Sequence, residues 1–165
     1  ITRKNIAKLS FATSEHSFFP NLTARGHADF YAAHFPNYSE KRFKALMEFF
    51  GLPKHRALSR FSTGQKNQFE VIMALSQGAD YILMDEPFVG LDPKAAHLLK
   101  GMMRGICDRG GAIFFSTHVL EVAEKLCDKV AIIKGGKLIR SGTMEEVKGD
   151  DSLEEVFLEL EGESC

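Results

Sequence analysis

From Asp80 onward the sequence repeats one pattern, a short apolar run followed by a helical stretch. Tyr81 to Met84 leads into a helical period over 93–109, marked by Leu98, Leu99, Met102, Met103 and Ile106. Ala112 to Phe115 leads into Val119, Val122, Ala123 and Leu126 at i, i+3, i+4 and i+7, and a third run, Val130 to Ile133, follows. Apolar runs alternating with helices predict an α/β fold, a parallel sheet with helices on both faces. Gly135-Gly136 reads as a tight turn into an antiparallel strand near Lys137 to Ser141, and short helices around 144–148 and 152–160 close the sequence.

The first half is organised differently. Two helices are expected between Pro20 and Pro53, near 23–34 and 39–50, and a third begins after Thr63. Phenylalanine is dense here, at positions 11, 18, 19, 30, 35, 43, 49 and 50. A small helical core accounts for most of them. Phe18, Phe19 and Phe30 fit either that core or a contact surface.

Length and composition narrow the class. A chain of 165 residues that is 44% hydrophobic can bury one sizeable core. Its 21 basic and 22 acidic residues leave a net charge of −1, which gives no overall electrostatic footprint for nucleic acid. No apolar run approaches the ~18 residues of a spanning helix, so a membrane would be reached through a partner. Cys107, Cys127 and Cys165 are odd in number and widely spaced, which favours a reducing compartment over a disulfide framework.

The chemistry concentrates at the ends of the apolar runs. Tyr81-Ile82-Leu83-Met84-Asp85-Glu86-Pro87 closes a buried strand with two carboxylates, at the edge where open α/β sheets place their ligands. On an extended backbone the two point opposite ways, so one can hold a cation while the other faces a reacting water. Taken alone, the pair could equally cap the next helix. The next run ends in Ser116-Thr117-His118, bringing an imidazole just past the same edge if the strands are neighbours. A lone histidine there is more often a hydrogen-bonded helix-end residue. Upstream, Phe61-Ser62-Thr63-Gly64-Gln65 opens a helix with a natural N-cap at Ser62 and a glycine permitting close approach, suited to an anion or to capping alone. His27 with His34, and His118 with Glu121, share helix faces but lack a third ligand for a metal.

Order and spacing say more than any single motif. Phe61-Ser62-Thr63-Gly64-Gln65, then Tyr81 to Pro87, then Val89-Gly90-Leu91-Asp92, then His118, resembles the nucleotide-binding domains of ABC-type ATPases. In that family these are the signature motif, the Walker B strand with its glutamate, the D-loop and the switch histidine. The resemblance runs from about Ile6 to the C-terminal helices. It implies a P-loop NTPase-like (RecA-like) sheet plus a small helical subdomain, with the helical part near 20–77, the core half near 78–142 and closing helices at 143–165. It further implies that Asp85 helps hold Mg²⁺, that Glu86 is the general base or water-polarising residue, and that His118 contacts the γ-phosphate of ATP. Ser62, Gly64 and Gln65 would face a nucleotide held by a second ATPase subunit in a head-to-tail dimer, with Asp92 at the dimer interface.

The sequence departs from the family pattern in three places. The signature carries Phe61 and Thr63 where Leu and Gly are common. The Q-loop glutamine position falls on Ser14, leaving Glu15 as the nearest side chain that could take over with a shift of one residue. No G-x-x-x-x-G-K-[ST] occurs, since Gly136-Lys137 is followed by Leu138, so the β- and γ-phosphates lack their usual cradle. The expectation is a sequence truncated before the Q-loop whose parent carries Walker A upstream, and which by itself hydrolyses no ATP. The compact 20–60 interval and the Ser152 to Leu160 segment resemble those of ATPase subunits from ABC-2-type exporters. That implies a transmembrane permease partner, no nucleic acid, and a cytoplasmic location on the inner face of the membrane. The alternative is a soluble non-transporter ABC ATPase, such as a ribosome-associated translation factor.

Overall fold

The structure, a computed structural model, describes residues 3–13, 15 and 18–162. Two compact units divide the chain after Ser116. In the first, α1 (Arg3–Ile6), β1 (Leu9–Ala12), α2 (Ala24–His34), α3 (Glu40–Phe49), a 3₁₀ turn (Leu58–Arg60), α4 (Thr63–Ser76), β2 (Tyr81–Asp85), α5 (Pro93–Cys107) and β3 (Ala112–Ser116) follow in order. The strands form a parallel sheet in the order β1-β2-β3.

The helix starts are written in the sequence. Thr23 and Ser39 sit in extended conformation ahead of α2 and α3, and each side-chain oxygen accepts a backbone N–H from the first turn. Asp92 does the same for α5, with Pro93 supplying a preset φ at the first helical position. The helical subdomain closes over a core containing Phe43, Met47, Phe69, Ile72 and Met73, all fully buried.

Helix α4 joins that core to the sheet. Its residues from Phe69 to Ser76 are all buried, so no face of its second half is left to water. A helix end buried this deeply must find partners for its last carbonyls. Ser10 Oγ in β1 donates to Ala74 O at 3.1 Å, Arg42 Nη1 in α3 donates to Leu75 O at 2.6 Å, and Ser39 N–H donates to Ser76 O at 2.8 Å. Gln77 Nε2 then reaches Leu9 O at 2.6 Å.

In-register pairing places Leu9, Tyr81 and Ala112 in one row and Phe11, Leu83 and Phe114 in the next. Both rows lie on one face, opposite Ser10, Ile82, Met84 and Phe115, since successive strand residues alternate. Helices α4 and α5 pack on the latter side, where Ile82 and Met84 are buried. On the other face Phe11 (55%), Tyr81 (50%) and Phe114 (65%) are exposed, so among the described residues helices cover one side of a sheet whose sequence suits burial on both.

The second unit holds α6 (Leu120–Leu126), β4 (Lys129–Lys134), β5 (Lys137–Thr143), α7 (Met144–Lys148) and α8 (Leu153–Gly162). The run at Val130 to Ile133 pairs with β5 as the antiparallel hairpin that Gly135-Gly136 predicts, but the two strands form a ribbon of their own and not part of the parallel sheet to which the alternating pattern assigns the run. Gly135 and Gly136, at φ 55° and 76°, make the turn between them, and this local closure needs no crossover. Ala123, Ile132, Val147, Leu153 and Val156 form the core of this unit.

Gly78, just past α4, has φ 76°, and a Cβ there would lie 2.1 Å from Asn37 O. Gly78→Ala therefore combines left-handed strain with a backbone clash. We expect it to lower stability by about 2 kcal/mol or more, read as a reduced urea midpoint. A midpoint matching wild type would show that the Asn37 loop yields freely.

Candidate functional site

Strand alternation places Asp85, while Glu86 falls just outside the strand, so the extended backbone expected for both carboxylates holds only for the first. Asp85 is the last strand residue, on the exposed face, and its register partner on β3 is Ser116. The Ser116 hydroxyl donates to Asp85 Oδ1 at 2.6 Å, and the backbone N–H of Glu86 is shared between Ser116 Oγ at 3.1 Å and Ser116 O at 3.2 Å. One serine thus fixes both carboxylate-bearing residues. Glu86 is the one non-glycine residue with positive φ among the described residues, at 46°. A residue held in this region costs of order 1–3 kcal/mol and persists where its surroundings over-determine it. Here the two Ser116 contacts and the buried Pro87 after it do so. The backbone leaves the strand conformation at Glu86.

The turn continues through the D-loop residues. Val89 N–H donates to Glu86 O at 3.1 Å, Gly90 takes φ 74°, and exposed Asp92 caps α5 with Oδ1 2.8 Å from Ala95 N. Asp92 thus has a structural role as an N-cap.

The signature segment forms the N-terminus of α4. Ser62 Oγ accepts from Gln65 N at 3.2 Å while Gln65 Oε1 accepts from Ser62 N at 3.0 Å, a reciprocal capping box. Ser62 and Thr63 are exposed, and a Cβ on Gly64 would meet nothing within 4 Å. Packing places no demand on Gly64. This helix start and the Asp85–Ser116 clasp lie on different elements of the first unit. His118 is exposed, follows β3 by two residues and belongs to the second unit, where Thr117 Oγ1 accepts the N–H of Val119 at 3.1 Å. Ser14 lies outside the described residues, and Glu15 beside it is exposed.

The sequence patterns match those of known proteins. The pattern of the ABC transporter family matches residues 2–89. The chain belongs to the ABC transporter family. It is 33% identical over 155 residues to the ABC transporter ATP-binding protein YthP of Bacillus subtilis, covering 91% of this chain and 66% of that protein. Against Nod factor export ATP-binding protein I of Rhizobium etli it is 34% identical over 128 residues, 74% of this chain and 40% of the relative. Against the linearmycin resistance ATP-binding protein LnrL of Bacillus subtilis it is 27% identical over 151 residues, 88% and 49% of the two chains. A solved ATP-binding subunit of an ABC transporter superposes with a TM-score of 0.85 at 26% identity, covering 96% of this chain and 70% of that one. The fold is therefore that of the family's ATP-binding subunits, and the chain spans from about two fifths to two thirds of the length of these curated relatives.

Two buried polar residues have contacts that the sequence reading did not assign. His27 on α2 approaches Thr23 O through Nδ1 at 2.9 Å and accepts Phe19 N–H at Nε2 at 3.2 Å, which fixes the neutral tautomer with its proton on Nδ1. Burial holds its pKa below the usual range. It pins the segment entering α2, with Phe18 edge-on at 5.1 Å. Phe18 also meets Phe69, so it serves the core, whereas Phe19 and Phe30 are exposed. The other is Glu70, buried on α4. Its carboxylate accepts a backbone hydrogen bond from Thr13, beside the Ser14 position, and burial pushes its pKa to about 7. Burial followed by the charge of Glu70 raises the Tyr31 phenol to about 12. A lone acid inside Phe69-Glu70-Val71-Ile72-Met73 was the available signal, since a carboxylate on an apolar helix face is rarely bland.

Unfolded, Glu70 ionises near 4.5, and folded it does so near 7. Across that window the folded chain binds the extra proton, so Glu70 lowers stability progressively as pH rises, by on the order of 3 kcal/mol once both states are ionised. Urea midpoints of wild type and Glu70→Gln compared from pH 4.5 to pH 8 should diverge, with wild type falling relative to the variant. Parallel profiles would mean that the carboxyl is not held protonated.

Proposed function

We propose that these residues form the Walker B and signature half of an ATPase that powers transport across a membrane, in the direction of export. The observation carrying this reading is the Ser116 clasp, which fixes Asp85 and turns Glu86 out of the strand in a strained conformation. A triphosphate site needs a carboxylate to hold a cation and a second one for the attacking water, and two adjacent carboxylates at this junction support that pairing of roles. Asp85 and the Ser116 hydroxyl are hard oxygen donors of the kind that suit Mg²⁺, which keeps most of its ligands as water and phosphate. When bound, the ion neutralises charge developing on the phosphoryl oxygens. Glu86 accepts the proton of the attacking water or orients it, and His118 donates a hydrogen bond to the γ-phosphate.

Ser62, Gly64 and Gln65 present the start of α4 to the nucleotide of a second subunit arranged head to tail. The capping box engages Ser62 and Gln65 with each other, and the positive end of the helix dipole favours phosphate at that position. Asp92 lies at the subunit interface in this reading, and Glu15 stands nearest the missing Q-loop glutamine. The 165 residues contain no phosphate-cradling loop with its lysine, so turnover requires that loop from elsewhere in the parent protein. Among the described residues no helix is long and apolar enough to cross a membrane, and a separate permease subunit supplies the path and the attachment to the cytoplasmic face. Export rests on the printed functions of relatives, Nod factor export and linearmycin resistance.

In the full-length protein, Glu86→Gln should lower ATP turnover by at least about 10²-fold, the scale of general base catalysis, while nucleotide binding persists and trapped dimers accumulate. Steady-state phosphate release and size-exclusion chromatography with ATP read both effects. Near-normal release would remove Glu86 from the role of base.

A further inference from the structure

A groove of about 340 Å³ runs between α3 and α5 in the first unit. Its floor is unusual for a helix surface. Gly101 and Gly105 lie one turn apart on α5, and a Cβ on Gly101 would meet nothing within 4 Å. Neither glycine has positive φ, so backbone conformation does not require them. Each lowers helix stability relative to alanine by roughly 1 kcal/mol. At Gly101 the effect is to open space against bare backbone, and at Gly105 it is to leave room for the Arg109 guanidinium. Leu98, Met102 and Ile106 supply an apolar wall, Met102 with a side chain adaptable to shape.

The rim is cationic. Arg42 reaches the groove from α3 and Arg109 from the end of α5, and Arg109 Nη1 lies 3.4 Å from where a Gly105 Cβ would stand, folded back over the glycine. Among the described residues no acidic side chain lines the groove. The nearest acid on α3, Glu40, is engaged by Arg25 and Lys44. Arg42 is held in place by its bond to Leu75 O, and both burial and the charge of Arg109 disfavour its protonated form. Two guanidinium groups that repel each other, one of them anchored and no carboxylate lining the groove beside them, are relieved by an incoming oxyanion, whose geometry matches their planar forks.

We propose that the groove between α3 and α5 binds a small amphiphilic anion, a carboxylate or phosphate monoester carrying a short apolar tail. The head lies between Arg42 and Arg109, over Gly105, and the tail lies along Gly101 against Leu98 and Met102. The volume falls at the small end of ligand pockets and suits a tail of several carbons. This site uses none of the residues assigned to nucleotide chemistry and does not depend on that assignment.

Calorimetric titration of the full-length protein with octyl phosphate, octanoate, octanol and inorganic phosphate tests the proposal. Octyl phosphate and octanoate should bind saturably, and octanol and inorganic phosphate at least about tenfold more weakly, because each lacks one half of the recognition. Arg109→Ala should weaken both amphiphilic anions by about tenfold or more and leave octanol unchanged. Gly101→Phe should block both anions, while Gly101→Ala, a control for helix propensity, should retain them. Thermal midpoints of all variants verify folding. Absence of saturable binding by either anion, equal binding of octanol, or affinities unmoved by Arg109→Ala and Gly101→Phe would overturn it.

Discussion

The buried end of α4 is the constraint on which the first unit depends. Eight consecutive buried residues leave its last carbonyls no access to water, and three other segments supply the donors: Ser10 from β1, Arg42 from α3 and the backbone of Ser39. Each donor ties a different part of the unit to the same helix end. An unmade hydrogen bond here would cost about 1–3 kcal/mol, so the three segments are held where their donors can reach. The same helix begins, fourteen residues earlier, with the exposed signature segment. A rigid rod with one end locked in the sheet and the other presented to solvent would, in the proposed reading, hold its N-terminus toward a phosphate at a defined distance from the strand ends.

The sheet edge shows how a small set of hydrogen bonds converts a strand into a site. Parallel register sets Ser116 opposite Asp85, and the serine then restrains Glu86 through both its hydroxyl and its carbonyl. The positive φ of Glu86 is the local consequence, and strain of this kind gathers where side chains must be aimed. Asp92 and Ser62 carry double duty in the proposed reading. Each caps a helix, which fixes the loop ahead of it, and each lies in a motif assigned to the nucleotide or the second subunit.

Much of this was legible from residue types and spacing because the relevant physics is local. Thr23, Ser39, Ser62 and Asp92 mark helix starts through a bond spanning three residues. The strand ending in Asp85 and Glu86, and the strand ending in Ser116, stand out as apolar runs bounded by polar residues, and the structure pairs them as neighbours. The third run misled because apolarity reports burial and not sheet membership. The Gly135-Gly136 hairpin to β5 was legible from the turn residues and forms as read, whereas the membership of β4 in the parallel sheet, inferred from alternation with helices, does not hold. Phe18, Phe19 and Phe30 looked alike, and their division into one core ring and two exposed rings depends on what α2 and α4 bring close.

The sequence alone determined the α/β class, the helix starts, the acidic strand end and the family to which these belong, since each is carried by residues near one another along the chain. Tertiary structure decided what no spacing encodes. It selected Ser116 as the partner of Asp85, drew Glu70 out of water beside Thr13, and set Arg42 across a glycine-floored groove from Arg109. These are contacts between residues some 30 to 67 positions apart, and they form only once the sheet register and the packing of α3, α4 and α5 have fixed which side chains share a space.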